Sequence, residues 1–111
     1  MTVKELSEKL SLSAIHMPDP DRAVTGGYCG DLLSWVMGRA EAGCAWVTIM
    51  SNVNTVAVAV LADCACVVIA EDAEMDADAL ARAKTQGVNL LSSSADNFTL
   101  CVRIAKELGI C

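Results

Sequence analysis

Three nearly continuous apolar runs alternate with segments of helical periodicity from residue 44 onward. Runs of Val, Ala, Ile and Cys without polar alternation are typical of strands that are buried on both faces of a sheet. The predicted strands are residues 44–50, 64–70 and 88–91, and the predicted helices are residues 52–62, 76–86 and 94–108. This alternation predicts an α/β fold, in which a three-layer arrangement places helices on both faces of a mostly parallel sheet.

The first 21 residues predict a helix and one further extended segment. Thr2 can cap a short helix that runs to Leu10, because its hydroxyl can accept a hydrogen bond from a backbone amide of the first turn. Residues 12–17 are extended as far as a Pro-Asp-Pro turn, and they can add a strand to the sheet.

A glycine-rich stretch joins this segment to the next predicted helix. Gly26 and Gly27 allow backbone conformations that other residues avoid, so residues 25–27 are predicted to form a loop. Asp31 is a good N-cap, and the apolar residues that follow it predict a helix from Asp31 to about Gly38.

The predicted sheet also indicates where a ligand would bind. Parallel sheets bind ligands beyond the carboxyl ends of their strands, where helices begin with unpaired amides. We therefore expect an anionic small molecule at that edge, with the glycine-rich loop closing over it. The ligand-binding residues predicted in this way are Thr25, Gly26, Gly27, Ser51, Asn52, Asn54, Glu71 and Ser92.

Composition limits the class of protein and its partners. The chain has 111 residues, which suits one domain spanning residues 1–111, and 54% of them are hydrophobic. Fourteen acidic and eight basic residues give a net charge of −6 that repels nucleic acid and anionic lipid, so neither is an expected partner. Charges along the N-terminal segment argue against a secretion signal, and no apolar run is long enough for a membrane span. We therefore expect a cytoplasmic protein.

The apolar content exceeds what a small monomer usually buries, which predicts a homodimer. The interface residues predicted from it are Leu32, Leu33, Trp35, Met37, Val56 and Val60. Of the two tryptophans, Trp35 and Trp46, one is expected in the core and the other at the interface.

The sequence contains no recognisable catalytic or metal-binding arrangement, so no catalytic residue, metal or cofactor is predicted. The six cysteines include no CxxC pair, and reduced thiols are expected. Cys64 and Cys66 are predicted to share one face of a strand as packing residues. Acidic residues between positions 71 and 78 are expected to be solvated near a helix start. The GxxxxGK[ST] phosphate-binding pattern is absent, which argues against kinase activity.

Three stretches carry a resemblance to a known family. They are residues 24–34, 45–48 and 54–59, which read VTGGYCGDLLS, AWVT and NTVAVA. Over residues 22–110 the chain resembles DRTGG-type domains, which occur alone or inside phosphotransacetylases and regulated pyrophosphatases, and also the N-terminal domain of HPr kinase/phosphorylase. Ala23 and Val24 interrupt the pentapeptide that gives the family its name.

The resemblance implies regulation and association more than catalysis. It implies a non-catalytic regulatory or ligand-sensing module that homodimerises and acts beside a larger metabolic or signalling protein. The alternative is a protein that binds a nucleotide or phosphorylated metabolite, or a minimal enzyme, with its site in the crevice at the carboxyl ends of the strands.

Overall fold

The middle layer of the computed structural model, which describes residues 1–111, is a five-stranded sheet. The strands are β1 (Ser13–His16), β2 (Gly26–Cys29), β3 (Cys44–Thr48), β4 (Cys66–Ile69) and β5 (Leu90–Ser92). They lie in the order β1-β5-β4-β3-β2. Strands β2 to β5 are parallel to one another, and β1 pairs antiparallel with β5 at one edge. The mostly parallel sheet predicted from the sequence is therefore confirmed.

Helices form the two outer layers. They are α1 (Val3–Lys9), α2 (Leu33–Arg39), α3 (Val53–Leu61), α4 (Ala77–Gln86) and α5 (Asn97–Glu107). Helices α1 and α5 cover one face of the sheet, and α2, α3 and α4 cover the other. This arrangement confirms the three-layer α/β class.

Each face of the sheet has its own hydrophobic core. The core beneath α1 and α5 includes Leu6, Val47, Val68, Leu100 and Ile104. The core beneath α2, α3 and α4 includes Val36, Trp46, Val56, Val67 and Ala79. Every residue of β3 and β4 is buried, because successive side chains point to opposite faces and each face is covered by helices.

Side-chain caps and one glycine fix where the helices begin and end. Thr2 and Glu5 form a capping box at the start of α1, and the side chain of Asp96 accepts a hydrogen bond from Thr99 N at 2.7 Å at the start of α5. Helix α4 ends at Gly87, whose φ of 70° closes the last turn in the left-handed conformation.

The structure corrects two predictions for the glycine-rich stretch. Gly26 and Gly27 do not form a loop but begin β2, which pairs in parallel with β3. An edge strand needs pairing on one side only, so it forms here without an apolar run. Asp31 is not the N-cap of α2, because the cap is Leu32 and has no side-chain hydrogen bond.

Two further predictions are wrong, one for an interface residue and one for a cysteine pair. Val56 belongs to the core under α3 and is 0% exposed, so it is excluded from any surface interface of the folded chain. Cys64 and Cys66 do not share a face: Cys66 lies in the core beneath α1 and α5, whereas Cys64 precedes β4 and packs on the opposite core.

None of the five helices has both the length and the apolar composition that crossing a membrane requires.

Candidate functional site

The carboxyl ends of β4 and β5 form the topological switch point of the sheet. The connection after β4 leads to α4 on one face, whereas the connection after β5 leads to α5 on the other face. A crevice is expected between two connections that diverge in this way. Glu71 and Ser92, both predicted as ligand-binding residues, lie in these two connections or at their start.

Backbone hydrogen bonds close this crevice. The N–H groups of Glu71 and Asp72 donate to the carbonyl oxygens of Ala95 and Ser93, both at 2.9 Å, and Ser93 N–H donates to the carbonyl of Ile69 at 2.9 Å. Glu71 and Asp72 have φ values of 57° and 53°, which turn the chain toward the neighbouring connection. The two connections are therefore joined to each other by backbone hydrogen bonds at Glu71 and Asp72.

An open hollow of about 380 Å³ remains beside β1, and Ser92 lines it. Asp72 and Glu74 line the same hollow. Their carboxylates oppose an anionic ligand, so the charge at this position conflicts with the predicted ligand class.

The start of α3 is capped by its own side chain. The Oδ1 atom of Asn52 accepts hydrogen bonds from Asn54 N at 2.9 Å and Thr55 N at 3.3 Å. The carbonyl of Ser51 accepts a hydrogen bond from Asp76 N at 3.1 Å. Ser51 and Asn52 therefore have structural roles, and two of the amides that were predicted to bind an anion, those of Asn54 and Thr55, are already paired.

A side-chain network holds the carboxyl end of β3 and the turn that follows β2. Asp31 Oδ1 accepts from Thr48 Oγ1 at 2.7 Å and from Ile49 N at 2.9 Å. Trp46 Nε1 donates to the carbonyl of Gly30 at 2.9 Å. Asp31 thus links the turn after β2 to the carboxyl end of β3, and it does not cap α2.

Strand β2 begins at Gly26, so Thr25, Gly26 and Gly27 lie at the amino-terminal ends of the strands, away from the carboxyl ends described above. Gly26 pairs with Cys44 at the amino-terminal start of β3, so these residues cannot close over Ser51 or Glu71 as predicted. They line a separate hollow of about 220 Å³, with Arg39, Glu41 and Cys44 in its wall. Arg39, which the sequence analysis did not single out, supplies a positive charge there.

The walls of this hollow fit tightly around Gly43, which precedes β3. Gly43 has a φ of 83°, and a Cβ atom at this position would lie 2.5 Å from Thr25 Oγ1. Thr25 N also donates to the carbonyl of Gly43 at 2.9 Å. By contrast, a Cβ atom on Gly26 would meet nothing within 4 Å, so the hollow is open above Gly26. We name this space the Thr25 hollow.

A third hollow carries a concentration of positive charge that was not predicted from the sequence. Lys9, Arg103, Lys106 and Glu107 line a space of about 310 Å³ between the end of α1 and α5. Its cations come from helices at the two ends of the chain, and only the i, i+3 spacing of Arg103 and Lys106 could have indicated a shared face.

Helix α2 exposes three large apolar side chains. Leu32, Trp35 and Met37 are 59%, 55% and 48% exposed, while Val36 between them is wholly buried. Leu32 and Trp35 are three residues apart and share one flank of the helix, whereas Met37 lies on the other flank. Leu33 is half-buried against the core, and Val60 is exposed on α3.

The two tryptophans differ in environment. Trp46 is wholly buried, which confirms that one tryptophan lies in the core. The guanidinium of Arg39 stacks over the ring of Trp35, 3.8 Å from its centroid. Participation of Trp35 in an interface stays a prediction.

No group of three or more His, Cys, Asp or Glu side chains is arranged to hold a metal ion. The acidic residues after β4 are exposed.

Taken as a class, the chain is a three-layer α/β domain with a mostly parallel five-stranded sheet. It is similar in structure to the CBS and DRTGG domains of the regulatory region of a Clostridium perfringens pyrophosphatase, solved in complex with its activator diadenosine tetraphosphate. The TM-score is 0.72 at 12% sequence identity, over 96% of this chain and 47% of that chain, so the chain spans about half the length of the structure it matches. No protein-family model and no curated protein sequence matches the chain. The likeness supports a DRTGG-like domain at the level of the fold.

Proposed function

We propose that this chain is a regulatory, ligand-sensing module that pairs with a second copy of itself and acts beside a larger metabolic or signalling protein. The observation that carries the proposal is the likeness of its fold to a regulatory region that was solved with a nucleotide activator.

The exposed apolar face of α2 supports association with a second copy. Leu32 and Trp35 are each more than half exposed on one flank of a seven-residue helix. Exposed apolar area of this kind on a small domain is typical of an interaction surface, and tryptophan is enriched at such surfaces. Two copies that meet through the same flank would form a two-fold interface.

The Thr25 hollow is the site that we propose for an anionic ligand such as a nucleotide or phosphorylated metabolite. It contains three of the residues predicted from the sequence together with the Arg39 guanidinium. Because Arg39 also stacks on Trp35, a ligand that draws this guanidinium away would change the surface proposed for dimerisation.

Sedimentation velocity tests the association. We expect a dimer for the unmodified chain and a monomer for Trp35→Glu, because a carboxylate cannot be buried in an apolar interface without a large desolvation cost. Phe98→Glu is the matched control, since Phe98 is 79% exposed on α5 and far from α2 in the fold. A monomeric unmodified chain at all concentrations, or equal effects of the two substitutions, would reject this interface.

Thermal shift with ATP, diadenosine tetraphosphate and inorganic phosphate tests the ligand. Ligand at 100 times its Kd adds about 2.7 kcal/mol of stability, which raises the Tm by several degrees. We expect the shift to be lost in Arg39→Gln and kept in Arg103→Gln, which alters the other basic hollow. The reverse pattern would assign binding to the hollow between α1 and α5, and no shift with any of the three would leave association as the only role.

No observation favours the alternative, which is a minimal enzyme or a small-molecule binding protein whose site lies at the carboxyl ends of the strands. Its crevice is closed by the hydrogen bonds from Glu71 and Asp72, and the remaining hollow is acidic.

A further inference from the structure

Two of the six cysteines lie in contact although neither belongs to a CxxC motif. The Sγ atoms of Cys44 and Cys64 are 3.6 Å apart. Cys44 is the first residue of β3, and Cys64 lies in the turn that precedes the neighbouring strand β4. A disulfide has a sulfur–sulfur distance of about 2.05 Å, so forming one here requires the sulfurs to approach by roughly 1.6 Å.

The backbone on both sides of this pair holds the two residues in register. Gly43 N–H donates to the carbonyl of Asp63 at 2.8 Å, and Ala65 N–H donates to the carbonyl of Cys44 at 2.8 Å. The two residues that flank Cys64 are thus hydrogen-bonded to Gly43 and to Cys44. We expect side-chain rotation to bring the sulfurs together, because these bonds already hold the two backbone segments side by side.

Both cysteines line hollows that open on the surface. Cys44 lines the Thr25 hollow, and Cys64 lines a polar hollow of about 150 Å³ that also includes Arg22 and Asp63. Cys44 is 3% exposed and Cys64 is half-buried, whereas Cys66 is 0% exposed and lines neither hollow. Of the three, Cys44 and Cys64 are therefore the thiols that a small oxidant in these hollows can approach.

The two thiols differ in acidity. The hydrogen bond between them lowers the pKa of Cys44, whereas the same contact and burial raise the pKa of Cys64. Burial raises the pKa of Cys66 to about 12. The thiolate is the nucleophilic form of cysteine, and only Cys44 of these three has a lowered pKa. Cys44 is therefore the nucleophile that we expect to react first.

We propose that Cys44 and Cys64 form a reversible dithiol site that is oxidised by a hydroperoxide to an internal disulfide. The Cys44 thiolate attacks one peroxide oxygen and the O–O bond breaks, which gives Cys44 sulfenic acid and a hydroxide or alkoxide that takes up the proton lost by Cys44 and leaves as water or an alcohol. The Cys64 sulfur then attacks the Cys44 sulfur and the S–O bond breaks, and the hydroxide that leaves takes up the Cys64 proton and is released as water. Two thiols lose two hydrogens in total, and the hydroperoxide is reduced by two electrons to water or an alcohol and water. A dithiol reductant reverses the reaction by thiol–disulfide exchange.

Oxidation at this position would act on the Thr25 hollow. Cys44 directly follows Gly43, whose position is fixed by its contact with Thr25. A covalent link between Cys44 and Cys64 also ties the start of β3 to Asp63, which binds Arg22. Formation of the disulfide is therefore expected to change the position of Cys44 in the wall of the Thr25 hollow. This effect does not depend on whether that hollow binds the ligand proposed above.

Peptide mapping of the full chain after treatment with hydrogen peroxide tests the site. Cleavage before aspartates places Cys44 alone in residues 31–62 and Cys64 with Cys66 in residues 63–71. We expect these two peptides to be joined, with fragmentation assigning the link to Cys64, and to separate after reduction. A link from Cys44 to Cys66, or unlinked peptides in a sample whose exposed Cys111 is already oxidised, would overturn the proposal.

Two variants give an independent readout. In Cys64→Ser the link should be lost and Cys44 should be trapped as a sulfenic acid that a dimedone probe labels. In Cys66→Ala the joined peptides should form as in the unmodified chain, because Cys66 takes no part. Loss of the link in Cys66→Ala with a native circular dichroism spectrum, or dimedone labelling in Cys64→Ser that spares Cys44, would contradict the assignment.

Discussion

The guanidinium of Arg22 binds both the side chain and the backbone carbonyl of Asp63. Nη1 of Arg22 lies 3.1 Å from Asp63 Oδ1, and Nη2 donates to the carbonyl oxygen of the same residue at 3.0 Å. Asp63 has a φ of 56° and its carbonyl also accepts the N–H of Gly43. One guanidinium thus links the segment before β2 to the turn between α3 and β4.

Arg22→Ala should destabilise the fold by about 1 kcal/mol, because it removes a hydrogen bond from a charged donor. The ion pair contributes little to this figure, since the Arg22 and Asp63 side chains are 31% and 64% exposed. Urea denaturation measures the change, and Arg103→Ala, at an exposed arginine of α5, is the control that should change stability by less than about 0.5 kcal/mol. Equal effects of the two substitutions would show that the contact with Asp63 does not stabilise the fold.

Gly43→Ala should be more destabilising than Gly87→Ala. Both glycines have positive φ, so each substitution costs about 1 kcal/mol of conformational strain. Only at Gly43 does the new Cβ collide with a neighbour, Thr25 Oγ1, whereas at Gly87 nothing lies within 4 Å. We expect a further loss of about 1–3 kcal/mol at Gly43 by the same denaturation assay. Similar losses at both positions would mean that Thr25 moves away without cost.

The sequence predicted most of the fold because the strong patterns are local. The runs at 44–50 and 64–70 contain β3 and β4, the run at 88–91 overlaps β5 except for its last residue, and the helix predicted over 76–86 is α4. Strand β2 was missed because a Gly-Gly-Tyr-Cys segment has no apolar run, and its conformation depends on pairing with β3. A pairing partner distant in sequence leaves no periodicity to detect.

The candidate site was harder to predict because it depends on contacts between segments far apart in the chain. The rule about carboxyl ends identified Glu71 and Ser92 near the switch point, but the hydrogen bonds that close the crevice there join separate connections. The contact between Cys44 and Cys64 likewise follows from the register of β3 against β4, which a spacing of twenty residues does not reveal.

Asp31→Ala should destabilise the protein by about 1–2 kcal/mol, because Thr48 Oγ1 and Ile49 N both lose their acceptor. Asp31→Asn keeps an oxygen acceptor and should cost less. Denaturation of the two variants and of the unmodified chain measures this order. If the two variants were equally stable, the carboxylate would have no role as a hydrogen-bond acceptor at the sheet edge.

Acid should weaken the cap of α5. The backbone hydrogen bond from Thr99 lowers the pKa of Asp96 below its ordinary value of 3.8. Because the folded pKa is below the unfolded one, the stabilisation is present above pH 3.8 and is lost as the pH falls through the folded pKa. Asp96→Asn retains a capping oxygen without this titration, so its stability should fall less between pH 5 and pH 3 than that of the unmodified chain. Parallel denaturation profiles for the two proteins over this range would contradict the prediction.

Gly38→Ala should stabilise the protein by about 0.5–1 kcal/mol. Gly38 lies within α2, its φ is not positive, and a Cβ atom there would meet nothing within 4 Å, so alanine gains helix propensity without a clash. Urea denaturation measures this gain, and a variant no more stable than the unmodified chain would contradict it. Gly38 lies three residues after Trp35 and therefore on the same flank of the helix, so sedimentation of this variant also tests the proposed interface. Unchanged association would mean that the second copy contacts Leu32 and Trp35 without approaching the backbone at Gly38, whereas weaker association would place Gly38 within the contact.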